Sequence, residues 1–182
     1  MKVLIAVASR HGSTKEIADE LGRALSAELT GRGMTSQVDV MFADKVRSVA
    51  EYDAVVLGSA VYRGQWLDSA KGLAERHRGA LLRKPVWLFS SGPVGDPLKP
   101  AKDPVDVSAV VALVGARKNR VFSGKIDKQV LRFAERAIMT ALRVKEGDYR
   151  DWAAVREWAS QVAEVLGHPH ALNQETSHAS HQ

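Results

Sequence analysis

Residues 1–14 read MKVLIAVASRHGST, and this stretch decides the fold. Val3 to Ala8 is a continuous apolar run rich in branched side chains, the pattern of a strand buried on both faces. It breaks at Ser9-Arg10-His11-Gly12-Ser13-Thr14, which is small and hydroxylated apart from Arg10 and His11. A helical pattern follows at once, with Ile17, Ala18, Leu21, Ala24, Leu25 and Leu29 on one face. Ser13 and Glu16 have the spacing of a capping box. A strand, a tight turn and a helix N-terminus together form an anion site. The first-turn N–H groups lack intrahelical partners, and the helix dipole turns its positive end to the loop. Ser9, Ser13 and Thr14 offer hydroxyl donors, Gly12 permits close backbone approach, and Arg10 adds positive charge. Plain capping chemistry selects Ser, Thr and Gly as well. What favours a phosphate is the position of the turn, at the carboxyl end of the first strand of an α/β pattern. The Gly-Lys-Ser/Thr ending of a nucleotide-triphosphate loop is absent.

At 182 residues the chain is of single-domain length. Hydrophobic residues make up 45% and charged residues 26%, ordinary values for a globular protein. There is no cysteine, which excludes disulfides, thiolate metal sites and a cysteine nucleophile. Low-molecular-weight phosphatases, which also use a strand–loop–helix phosphate cradle, are excluded with them. The first residues already belong to a core strand and no apolar run reaches membrane-spanning length, so a cytoplasmic location is expected. The formal charge of +5 is uneven. Residues 117–145 hold nine Lys or Arg against two acids, a net of +7, so the rest of the chain is slightly acidic.

Along the chain, Gly31 and Gly33 stop the first helix, and Ser36 to Met41 alternates as a half-buried or edge strand does. Tyr52 to Leu57 is a third, central strand, followed by the small-residue loop Gly58-Ser59-Ala60-Val61-Tyr62-Arg63-Gly64. Trp66 to Leu82 reads as a helix with Leu67, Ala70, Leu73, Ala74 and Leu81 inside. Pro85 to Phe89 is a fourth strand, ending in SSGPVGDP (residues 90–97), with an irregular proline-rich loop to Pro104. A short helix over Val105–Val114 and a fifth strand over Asn119–Ser123 follow. Two helices close the domain, Asp127–Arg143 and Asp151–Leu166, with Gly167 as a C-cap. Residues 168–182 are polar, carry four of the six histidines and are expected to be a disordered tail, with no metal site. The expected organisation is one domain over 1–167.

Strands alternating with helices predict a doubly wound, five-stranded parallel sheet in the order 2-1-3-4-5, with helices on both faces. The strand order then reverses beside strand 1, and a ligand belongs above the carboxyl ends of strands 1, 3 and 4. Those three strands end in the three small-residue loops. A response regulator has the same strand order but needs an acidic pair after strand 1 and an aspartate ending strand 3. Here those places hold Ser9-Arg10 and Gly58-Ser59.

With three loops in this order, the chain resembles the flavodoxin-like superfamily over residues 1 to about 166. Within it, the chain is most similar to the menaquinone-dependent protoporphyrinogen IX dehydrogenases. The shared features are S-x-x-G-x-T at Ser9–Thr14, V-x-G-x-x-x-R/Y-x-G at Val56–Gly64, and Tyr-x-Asp-Trp at Tyr149–Trp152. The resemblance implies FMN. It places the phosphate at Ser9, Arg10, His11, Gly12, Ser13 and Thr14, and the flavin ring against Ser59, Ala60, Val61, Tyr62, Gly64, Ser91, Gly92, Pro93, Val94 and Gly95. Tyr62 is the leading stacking candidate and Trp66 the second, the alternative for Trp66 being simple packing on the sheet. The third loop has no aromatic, which leaves one face of the ring open to a substrate or quinone.

The resemblance implies an oxidoreductase that removes hydrogens through FMN and passes electrons to a quinone; the alternative is an electron-transfer protein without its own substrate. No protein acid or base is required for flavin chemistry. Arg63 is a candidate contact to a substrate carboxylate, the alternative being an exposed arginine facing water. His11 has the same pair of readings toward the phosphate. The expected partners are a quinone or redox protein and a small acidic substrate such as a porphyrinogen, with no nucleic acid. Lys128, Arg132 and Arg136 lie four apart, so they form one helical stripe within the basic 117–145 segment. The stripe suits either peripheral contact with the inner membrane face or plain solvation.

Overall fold

The computed structural model describes residues 1–62, 64–92, 107–127, 129 and 146–168 of the chain. Several sequence expectations lie outside these residues. They are the placements of Arg63, Pro93, Val94 and Gly95, the proline-rich loop to Pro104, the Lys128/Arg132/Arg136 stripe, most of the Asp127–Arg143 helix, and the tail beyond His168.

The apolar run after Met1 forms β1 (Lys2–Ala8), and the periodic segment after it forms α1 (Ser13–Gly31). The remaining elements are β2 (Gln37–Phe42), β3 (Ala54–Tyr62), β4 (Gln65–Trp66), α2 (Asp68–Arg76), α3 (Arg78–Leu81), β5 (Val86–Ser91), α4 (Ser108–Val114), β6 (Asn119–Phe122), β7 (Lys125–Ile126), β8 (Gly147–Asp148) and α5 (Trp152–Gly167). Five strands run parallel in the order β2-β1-β3-β5-β6, the order read from the sequence. One addition to that expectation is β4, which turns back antiparallel on the end of β3 and pairs Val61 with Trp66.

The two faces of β1 divide the core. Val3, Ile5 and Val7 point to one side with Leu21 and Leu25 of α1 and Trp158 and Val162 of α5. Leu4, Ala6 and Ala8 point to the other, with Leu73 of α2 and Val110 of α4. All six β1 residues from Val3 to Ala8 are buried, as a strand sandwiched between helix layers must be. On the α1–α5 side, Phe89, Phe122 and Trp158 form an edge-to-face triad with centroids 6.0, 6.1 and 5.6 Å apart. The edge strand β2 is half-buried, in keeping with its alternating sequence.

Several local readings are corrected. The third strand does not stop at Leu57 but runs on to Tyr62, so Gly58, Ser59 and Ala60 are strand residues. Trp66 belongs to the β3–β4 hairpin rather than to a helix, and the helix expected over 66–82 is split at His77, whose ψ of 13° leaves the helical well. Gly167 is the last residue of α5, and His168 takes the C-cap position. At the other end of α5, the Asp151 carboxylate accepts from the Ala154 amide at 3.0 Å, an ordinary N-cap.

Ahead of β3, the Tyr52 hydroxyl donates to the Asp39 carboxylate on β2 at 3.0 Å. Burial, reinforced by that carboxylate, pushes the phenol up to about 12. A folded-state value above the unfolded one means that its stabilising contribution is full below about pH 10 and is lost as pH rises through about 12. One of the three tyrosines is therefore expected to ionise last in a phenolate absorbance titration. Tyr52→Phe should remove that late step and lower stability by about 1 kcal/mol at neutral pH. A late step that survives the substitution would assign it elsewhere.

Candidate cofactor site

Between Ala8 and α1 the chain turns through Gly12 at φ 87°, a left-handed conformation that glycine adopts without a Cβ penalty. Ser9 Oγ accepts from the Gly12 amide at 3.2 Å and fixes the turn from inside. The Glu16 amide closes on the Gly12 carbonyl at 3.0 Å, whereas the Ser13, Thr14 and Lys15 amides make no backbone hydrogen bond among the described residues. Three amides at a helix start, with the positive dipole end behind them, make an anion cradle.

The capping box expected from Ser13 and Glu16 does not form, since no side chain caps α1. Ser13 Oγ instead accepts from the Lys125 amide at 3.1 Å, and the Glu16 carboxylate accepts from Arg150 at 2.6 Å. The N-cap is Gly12, which puts Ser13 at the first helical position and Glu16 one place past N3, so both side chains are left for partners across the fold.

A cleft of about 280 Å³ opens at this point, over the carboxyl ends of β1, β3 and β5. From the first loop, Ser9, Arg10, His11, Ser13 and Thr14 line it, and Gly12 forms the turn beneath. Ala60, Val61 and Tyr62 come from the end of β3, and Ser91 and Gly92 from the end of β5. Thr14 is 3% exposed, so its hydroxyl is aligned by packing as well as by the helix. Tyr62 joins the first two groups. The Arg10 guanidinium carbon lies 5.2 Å from its ring centroid, and the His11 ring meets it edge-on at 6.2 Å.

Two residues singled out in the second loop are not brought to the cleft wall. Ser59 is fully buried; its hydroxyl donates to the Ala60 carbonyl at 2.8 Å and accepts from the Leu67 amide at 3.0 Å, latching the β3–β4 hairpin. Gly64 sits in the tip of that hairpin at φ 76°. Trp66 is a packing residue: it is 4% exposed, and its indole N–H donates to Ser90 Oγ at 2.9 Å inside the sheet.

A fourth wall escaped the sequence reading. Gly124, Lys125, Ile126 and Asp127 line the cleft beside the start of α1, together with Glu16. The Lys125–Ile126 strand pairs with Gly147–Asp148, and the Tyr149 amide donates to the Gly124 carbonyl at 3.2 Å. The available signal was Ser123-Gly124, a small-residue pair after the fifth strand like those after the first, third and fourth.

Arg150 ties this wall to α1. Its side chain is 5% exposed, donates to Asp148 through Nε at 2.7 Å and Nη2 at 2.5 Å, and reaches Glu16 through Nη1 at 2.6 Å. The Trp152 ring lies 4.4 Å from the guanidinium. Hydrogen bonding to the guanidinium holds the Asp148 carboxyl below its usual range. The two carboxylates, Asp148 foremost, in turn raise Arg150.

No curated protein matches the chain. Among solved structures, it is similar to a flavodoxin from the domain Archaea, with a TM-score of 0.55 and 17% identity over 92% of this chain and 100% of that one. An oxidoreductase from Corynebacterium diphtheriae gives a TM-score of 0.56 and 14% identity, over 91% of this chain and 96% of the other. The rubredoxin:oxygen oxidoreductase of Desulfovibrio gigas gives 0.54 and 18%; 91% of this chain covers only 36% of that larger protein. At these identities the likeness is one of fold. A family model described as flavodoxin domain matches residues 4–152. With the strand order, the cradle after β1 and that match in agreement, the chain belongs to the flavodoxin domain family, and the cofactor that goes with this membership is FMN.

Proposed function

We propose that this chain is an FMN-dependent oxidoreductase of the protoporphyrinogen IX dehydrogenase type, which removes hydrogen from a small acidic substrate and passes electrons to a quinone. The observation that carries the cofactor site is the pair of cleft-lining residues Ser13 and Thr14, whose amides, with that of Lys15 next to them, make no backbone hydrogen bond among the described residues. A phosphate monoester fits their number and polarity, with the Ser9 and Thr14 hydroxyls beside it. Tyr62 offers a ring at the mouth of the same cleft, and the carboxyl ends of β3 and β5 offer backbone at close range through Ala60 and Gly92.

Bound FMN supplies the group that accepts and returns electrons. The chain's own residues bind it, orient it and set the field around it. Arg10 and Lys125 both line the cleft, Lys125 3.6 Å from the Asp127 carboxylate, and the Arg10 charge beside the cradle suits an anionic cofactor. The sequence of residues 117–145 is strongly basic, and on this reading that segment makes peripheral contact with an anionic membrane face where quinones reside. Family membership alone fits equally an electron-transfer protein with no substrate of its own.

The test begins with the visible spectrum of protein reconstituted with flavin. One FMN per chain, bound in preference to FAD, is expected; no bound flavin would remove both readings. Porphyrin fluorescence with a quinone acceptor then separates them. Turnover that weakens with salt, and slows in Arg63→Ala without loss of FMN, is the expected result. No turnover with any quinone, beside rapid electron exchange with a reductase, would establish the carrier.

A further inference from the structure

We infer that Arg150 is a positioning residue for phosphate recognition: it neutralises Glu16 beside the anion cradle and fastens to it the adjoining β7–β8 wall, so that the site prefers a phosphorylated flavin to its dephosphorylated form. The inference rests on the FMN reading and extends it to a residue far from the loops at the strand ends.

Glu16 ends the first turn of α1 and lines the same cleft as Ser13 and Thr14. An acid in a first turn suits the helix dipole, but an uncompensated carboxylate beside a phosphate dianion repels it. Arg150 is 134 residues away in sequence and still meets Glu16 at 2.6 Å. It is held there from three sides, by two bonds to Asp148, by the Trp152 ring and by its own amide, which donates to Asp148 at 3.1 Å. With its side chain 5% exposed it has little freedom to swing toward a ligand, so it acts through Glu16 and the wall rather than by touching the phosphate. Arginine suits this place because one planar fork serves two carboxylates at once. Asp148 lies on the strand that pairs with Lys125–Ile126, and the Lys125 amide is bonded to Ser13 of the cradle. The same guanidinium thus balances the Glu16 charge beside the cradle and holds the strand pair that bonds to Ser13.

The experiment compares FMN and riboflavin binding to the full chain by flavin fluorescence at low salt. In Arg150→Met, FMN affinity is expected to fall about tenfold or more while riboflavin changes within about twofold, since only FMN carries the phosphate charge. Adding Glu16→Gln to that variant should restore the part of the FMN loss that comes from the uncompensated Glu16 charge, a gain that riboflavin does not show. Equal losses for both flavins, or no restoration in the double variant, would reduce Arg150 to a structural staple and overturn the inference. Glu16→Gln alone provides a second route should Arg150→Met not fold. The inference expects FMN affinity to hold or rise relative to riboflavin, whereas a parallel fall for both overturns it. Wild-type protein that binds neither flavin would remove the FMN reading and this inference with it. Wild-type protein that binds FMN, beside variants that do not discriminate, would remove the inference alone.

Discussion

Ser13→Ala combined with Thr14→Ala is expected to weaken FMN binding by about 10²–10⁴-fold, because a hydrogen bond to a charged partner contributes roughly 1.5–3 kcal/mol and two are removed. Riboflavin, which has no phosphate, should lose far less. The two positions are not equivalent. Thr14 is 3% exposed and lines the cleft at the helix start, so Thr14→Ala should be selective for FMN. Ser13 Oγ also accepts from the Lys125 amide, so Ser13→Ala additionally loosens the β7 wall. The measurement is flavin fluorescence titration with both ligands. Equal losses of FMN and riboflavin in Thr14→Ala would show that the turn is only a helix start.

The second large effect is expected in the sheet beneath the cleft. A Cβ at Gly58 would lie 2.1 Å from the Cε1 and Cζ atoms of Phe89, far inside any real contact. Phe89 is fully buried and wedged edge-to-face against Phe122 and Trp158, so its ring has nowhere to go. Gly58→Ala should therefore cost about 3 kcal/mol, the upper part of the range for overpacking, and lower Tm by about 6–12 °C. Shortening the ring partner to leucine should recover part of the loss when Phe89→Leu is combined with Gly58→Ala, a non-additivity expected only for residues in direct contact. A Gly58→Ala protein with wild-type Tm would show that the sheet can shift at this point.

Much of the architecture was legible along the chain, in the branched run at Val3–Ala8, the period of α1, and the small residues after strands 1, 3 and 4. These are local properties. A strand buried on both faces must be apolar throughout, and a ligand loop that approaches closely must be built from small residues. Where the reading failed, one residue type served two purposes. Gly58 and Ser59 look like a loop because glycine and serine usually make loops. Here the glycine makes room for a ring on the neighbouring strand, and the serine bonds the Leu67 amide. Trp66 could pack or stack, and the presence of Ser90 Oγ at 2.9 Å makes it a packing residue.

The chain alone carried the five parallel strands, their order across the sheet, the first and last described helices, and a helix start suited to an anion after β1, because periodicity and the chemistry of a helix start are written within a few turns of chain. Only the tertiary structure decided what individual side chains do. Ser13 and Glu16 had capping-box spacing, yet one bonds an amide 112 residues away and the other a guanidinium 134 residues away. The fourth wall of the cleft likewise comes from Gly124–Asp127, paired with a strand beyond residue 146. A hydrogen-bonding group takes the partner that the crossovers bring within about 3 Å, and that distance is set by how the layers pack rather than by spacing along the chain.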